Sequence, residues 1–158
     1  MPKAFDSISQ LLSAARTIAV VGLSSRPERA SHQVASYLQQ HGHRIIPVNP
    51  TYAGQSILGE HCYATLTQVS REHGVIDIVD CFRKSEEIPA IADDAIAIGA
   101  KVLWMQLGIV NDEAARHASN AGLDVVMNRC VKIEHARILG GLNWAGVNTG
   151  VISARRPV

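Results

Sequence analysis

A chain of 158 residues with 47% hydrophobic content has the size of one domain and enough apolar material for a core. Charged residues make up 18% and the formal net charge is +1, so the global balance points to neither nucleic acid nor an anionic membrane, and any anion site must be local. No apolar run approaches the roughly 20 residues of a membrane helix, and the opening Met1-Pro2-Lys3-Ala4-Phe5-Asp6 lacks the apolar core of a secretion signal. Cys62, Cys81 and Cys130 form no C-x-x-C and fit neither a disulfide framework nor a zinc ribbon, so a cytoplasmic location is expected.

In chain order, residues 7–15 present Ile8, Leu11, Leu12 and Ala15 on one face of a helix. The β-branched run Thr17–Val21 reads as the first strand, and Ser31 can cap a helix that carries Val34, Tyr37, Leu38 and His41 on one face and ends at Gly42. Arg44–Val48 is the second strand and residues 75–80 the third. Ser85, followed by Glu86 and Glu87, opens a helix with Pro89 in its first turn; Ile88, Ile91, Ala92, Ala95 and Ile96 supply its apolar stripe before Gly99. Residues 101–105 form the fourth strand, Asn111-Asp112-Glu113 start a helix that closes near Gly122, and residues 124–127 are the fifth strand. A last helix is expected over residues 130–139.

Alternation of short buried strands with helices predicts a doubly wound, Rossmann-like α/β fold with a mainly parallel five-stranded sheet and helices on both faces. Residues 1–139 make up this domain. Residues 140–158, with Gly140, Gly141, Gly146 and Gly150, read as an irregular extension of which Leu142, Trp144, Val147, Val151 and Ile152 pack a part.

Ligands of open parallel sheets bind outside the carboxyl ends of the strands. That rule selects Gly22-Leu23-Ser24-Ser25-Arg26-Pro27, Asn49-Pro50-Thr51-Tyr52, Cys81-Phe82-Arg83-Lys84, Gln106-Leu107-Gly108 and Asn128-Arg129-Cys130. Gly22 permits close backbone approach, Ser24 and Ser25 bring hydroxyls, and the following helix start offers free N–H groups to a phosphate, with Arg26 and Arg29 adding charge. Only the first glycine of a G-x-G-x-x-G is present, and a tight turn with capping serines and solvated arginines is the alternative.

Asn49 stands where an NAD-binding fold usually has a carboxylate on the ribose, which leans toward NADP or coenzyme A; an ordinary Asn-Pro turn accounts for it equally. Phe82 and Arg83 can face an adenine or a phosphate, or else join the core and pair with Glu86 or Glu87. Trp104 reads as core, and Gln106 and Gly108 as a polar wall and a close-approach position.

Catalytic signals are poor. The seven histidines are scattered, no metal-binding or nucleophile-elbow motif occurs, and Glu134 and His135 read as helix surface. Cys81 and Cys130 fall at the ligand edge as candidates for thiol exchange with a disulfide of coenzyme A, against the commoner case of unreactive buried thiols.

Five stretches together carry a likeness over residues 18–139: Ile18-Ala19-Val20-Val21-Gly22-Leu23-Ser24 with Pro27; Pro47-Val48-Asn49-Pro50; Asp77-Ile78-Val79-Asp80-Cys81-Phe82-Arg83; Ala97-Ile98-Gly99-Ala100 running through Gly108; and Ala121-Gly122-Leu123 running through Cys130. With these the chain resembles the small stand-alone CoA-binding domain family, related to the CoA-binding domain of the succinyl-CoA synthetase α subunit. The resemblance implies coenzyme A held by Gly22, Ser24, Ser25, Arg26, Asn49, Pro50, Phe82, Arg83, Gln106, Gly108 and Asn128, the last standing where relatives usually have Asp. Ligase activity is not implied, because it needs a phosphohistidine loop and a partner subunit. The expected role is binding of coenzyme A or an acyl-CoA without catalysis. The alternatives are a small NADP-dependent oxidoreductase and a regulatory or partner subunit of a CoA-using enzyme.

Overall fold

The computed structural model of the chain describes residues 7–138 and 151–153. Five parallel strands, β1 (Thr17–Val21), β2 (Arg44–Val48), β5 (Ile78–Cys81), β6 (Val102–Met105) and β7 (Asp124–Val126), stand in the order β2-β1-β5-β6-β7. Each of these strands is buried along all or nearly all of its length, as expected of a sheet covered on both faces. A sixth strand, β8 (Val151–Ser153), lies antiparallel to β7 within the segment expected to be irregular. The remaining residues of that extension, and Leu139, fall outside the described residues.

Alternation along the strands sorts the core into two layers. Ile18, Val20, Ile45, Ile78, Val102 and Trp104 meet α1 (Ile8–Ala14), α2 (Ala30–Gln40) and α6 (Val131–Ile138). Ala19, Val21, Ile46, Val79, Leu103 and Val125 meet α3 (Leu66–His73), α4 (Ile88–Ala97) and α5 (Asp112–Asn120). Trp104 is fully buried core, as the sequence predicts.

Several local features depart from expectation. Ser31 does not cap α2: Arg29 occupies the N-cap position, no side chain caps that end, and the Ser31 hydroxyl instead accepts the Ser24 N–H at 3.0 Å. Between β2 and β5 the chain builds elements the sequence reading did not contain. These are a 3-10 turn at Pro50–Tyr52, a ribbon of β3 (Ser56–Ile57) and β4 (Glu60–His61), and α3. Glu134 and His135, expected on a helix surface, are buried, Glu134 against Arg129 and Arg137 and His135 against Tyr37.

Candidate functional site

The strand order makes β1 the switch point, since the chain leaves it first toward β2 and later returns on its other side at β5. Gly22 ends β1 there. Its φ of +91° and its surroundings both demand glycine: a Cβ would strike the Phe82 carbonyl oxygen and stand 2.8 Å from Cδ of Arg83. The Gly22 N–H donates to Val48 O at 2.8 Å and Phe82 N–H to Val21 O at 2.8 Å, so the turns after β1, β2 and β5 form one hydrogen-bonded platform.

Two clefts meet at Gly22. One, of about 420 Å³, is polar and is lined by Ser24, Arg26, Arg29, Thr51, Tyr52 and the exposed start of α2. No carboxylate lines it. With no side-chain cap, the first N–H groups of α2 keep their hydrogen-bonding capacity for an anion. Arg26 is paired with Glu28 at 2.8 Å, both exposed, whereas no carboxylate of the described residues pairs with Arg29.

The other cleft, of about 320 Å³, lies on the far side of Gly22. It is apolar, walled by Val21, Val48, Leu66, Ala90 and Ile91 with Pro50 at its edge. Arg83 borders it, tied to Glu87 at 2.7 Å, the pairing the sequence offered as an alternative to phosphate contact. A third cleft of about 370 Å³ continues past Phe82, Arg83 and Lys84 to Ile109.

Among the residues singled out from sequence, Gly22, Ser24, Arg26, Asn49 and Phe82 line the polar cleft, Pro50 lines the apolar one, and Ser25 reaches the first through Tyr52. Asn49 is 6% exposed and its amide is committed: Nδ2 donates to Leu23 O at 3.1 Å and Oδ1 accepts the Thr51 N–H at 3.0 Å. It fastens the β1 and β2 turns together.

Gln106 is not a cleft wall. It is 3% exposed, donates through Nε2 to buried Asp80 Oδ1, and accepts the Val131 N–H at 3.3 Å. Gly108 and Asn128 come together elsewhere, the Asn128 carboxamide oxygen accepting the Gly108 N–H at 2.8 Å; both have left-handed backbones, with φ of +87° and +61°.

Tyr52 and Arg29 complete the polar cleft, Arg29 beside the phosphate turn as the sequence suggests and Tyr52 in the selected turn after β2 but with no role that the sequence assigns. The Tyr52 phenol lies beside the Ser24 and Ser25 hydroxyls and in the field of Arg26 and Arg29, and these together lower its pKa from the usual tyrosine value. Asp80 is fully buried and its pKa is pushed up to about 7, burial outweighing the Gln106 hydrogen bond; its Oδ2 has no partner among the described residues. Burial, with the Asp80 carboxyl beside it, holds the Cys81 thiol well above its usual range and so disfavours its thiolate. Among the described residues no group of His, Cys, Asp and Glu is arranged to hold a metal ion, and no helix is long and apolar enough to cross a membrane.

The profile of the CoA binding domain matches residues 16–136, which include every element from β1 to most of α6. The chain belongs to this family. YneT, an uncharacterized protein of Bacillus subtilis (strain 168), is 42% identical over 129 residues, 82% of this chain and 92% of its own. A hypothetical protein from Pyrococcus horikoshii OT3 is 40% identical, with 84% of this chain and 90% of that one superposed at a TM-score of 0.78. The acetyl-coenzyme A synthetase 1 of Ca. Korarchaeum cryptofilum shares the fold over 71% of this chain and 26% of its own length, at 24% identity and a TM-score of 0.61. Membership of the CoA binding domain family supports a coenzyme A-type ligand in general; the comparisons give the NADP alternative no support.

Proposed function

We propose that this chain binds coenzyme A, or an acyl-CoA, across the Gly22 turn and carries out no reaction on it. The observation that carries the reading is the meeting of a cationic and an apolar cleft at one glycine of the switch point. Phosphates fit the polar side, where Arg26, Arg29 and the uncapped start of α2 supply positive charge and N–H donors. The adenine, which the sequence allows to lie against Phe82, is better matched by the apolar slot of Val48, Pro50, Leu66 and Ile91, where a flat ring gains contact area. The thiol end then leaves along Phe82 and Arg83 toward Ile109, in the direction of solvent.

A binding role rather than a catalytic one is favoured by the chemistry of the clefts. Their lining holds no histidine or cysteine, and Cys62 and Cys81 are buried thiols. Free thiols suit the reducing interior of the cell. Calorimetric titration with coenzyme A, and native mass spectrometry of the purified protein for a retained ligand, test the reading. Saturable one-to-one binding is expected, and no heat at millimolar coenzyme A overturns it. NADP in parallel titrations is expected to bind at least tenfold more weakly.

A further inference from the structure

Resting on the binding mode above, we propose that Tyr52 and Arg29 read the phosphate monoester of the ribose, so that the chain separates 3′-phosphorylated adenosine ligands from their dephosphorylated counterparts. Tyr52 stands on the 3-10 turn that follows β2, the strand end beside which the ribose of a nucleotide lies in folds of this kind. From there it reaches across to Ser24 and Ser25 on the β1 turn. The cleft between them contains two guanidinium groups and four hydroxyl side chains, those of Ser24, Ser31, Thr51 and Tyr52, and no acid. Its neighbours differ, since Glu87 borders both and Asp94 one of them.

A pyrophosphate on the Gly22 turn would use the N–H groups of the α2 start and Ser24, leaving the guanidinium of Arg29, at the N-cap of that helix, and the Tyr52 hydroxyl across the same cleft for a second anion. Those two groups want a dianion. A phosphate monoester carries about −1.5 to −2 charge at neutral pH and three acceptor oxygens, enough for a guanidinium and a phenol at once. The free cleft favours the phenolate, for the pKa of Tyr52 is lowered first by the serine hydroxyls and then by the two arginines. An occupying phosphate would reverse this and push the phenol up.

The test titrates coenzyme A and 3′-dephospho-coenzyme A into the wild-type chain, Tyr52→Phe and Arg29→Ala. Wild type is expected to bind coenzyme A at least tenfold more tightly. Each variant should lose roughly tenfold in coenzyme A affinity, the order expected for one hydrogen bond to a charged group, and keep its dephospho-coenzyme A affinity within twofold. Phenolate absorbance supplies a second readout: a tyrosine that titrates early in the free protein should titrate later when coenzyme A is bound, but not with the dephosphorylated ligand.

Equal affinity of wild type for both ligands overturns the inference and leaves the binding mode standing. Equal losses for both ligands in Tyr52→Phe remove Tyr52 from monoester recognition and overturn it as well. If neither ligand binds, the proposed function itself fails. A thermal midpoint of Tyr52→Phe within a few degrees of wild type shows that it folds.

Discussion

The carboxyl edge of the sheet has two halves that look alike in sequence and differ in what their polar groups have left to give. Over β2, β1 and β5, an open cleft is faced by Arg29, which no carboxylate of the described residues pairs, and by an uncapped helix start, while Arg26 keeps only an exposed pair with Glu28. Over β6 and β7, the same kinds of residue are spent on one another: Gln106 on Asp80 and the start of α6, Asn128 on Gly108. Position at a strand end therefore does not by itself leave a polar group available to a ligand. A donor already paired inside the protein would have to break that bond to meet a ligand.

Gly22 is the point at which the open half is most vulnerable. Gly22→Ala should destabilise the fold by about 2–4 kcal/mol and abolish measurable coenzyme A binding, because the new Cβ collides with backbone at a positive φ. Chemical denaturation and calorimetry check both parts, and a variant that binds normally would place the ligand elsewhere.

Asp80 probes the closed half. Its pKa is raised in the folded chain above the ordinary 3.8, so the stability that comes from holding the neutral form is present below about pH 4 and is lost as pH rises toward and through 7. Asp80→Asn should then stabilise the protein at pH 8, by about 2–4 kcal/mol, and by much less at pH 5. Denaturation midpoints at the two values measure it; an equal effect at both would show that Asp80 does not titrate in this range.

His43 and His135 run the opposite way. Both are buried, and burial with neighbouring imidazoles lowers their pKa values from 6.5. Their rings lie 5.5 Å apart, and His41 is 5.1 Å from His135. Stability held at pH 7 should fall as pH drops through about 6.5 and below. His135→Gln should flatten that loss by roughly 1 kcal/mol, read from thermal midpoints at pH 5 and 7.

The smallest effect is expected at Asn128. Asn128→Ala should cost about 1 kcal/mol in stability, for the lost bond to Gly108 and the left-handed backbone, while coenzyme A affinity stays within twofold. A larger loss of affinity would return this half of the edge to the site.

Much of the scaffold was legible because each parallel strand is a short β-branched run buried on both faces, and those runs stand out whatever surrounds them. Helix α3 was not, since only Leu66 and Val69 of its eight residues are buried and its stripe is too thin to read. A signal was available in Thr65 and Gln68: the Thr65 hydroxyl accepts the Gln68 N–H, and Gln68 reaches back to the Ala64 N–H. The placement of Gln106 was also within reach. It lies two residues beyond Trp104, which is in register with Asp80, so the alternation of a strand sends all three to the same buried face. Tyr52 was out of reach, for its meaning depends on Ser24 and Ser25, brought to it only by the pairing of β1 with β2.

The margins of the sheet have a consequence for how this protein keeps company with itself. On the β2 side, Tyr63 crosses the edge, its N–H donating to Pro47 O at 3.0 Å and its carbonyl accepting the Asn49 N–H at 2.8 Å, while Pro47 has no N–H to offer. On the β7 side, β8 is the last strand among the described residues. An unfinished sheet edge recruits strands from other molecules, and crowding favours such growth. The β2 edge, closed by a proline and a crossing tyrosine, has little template for it, so a rise in concentration should not stitch these sheets together along that side.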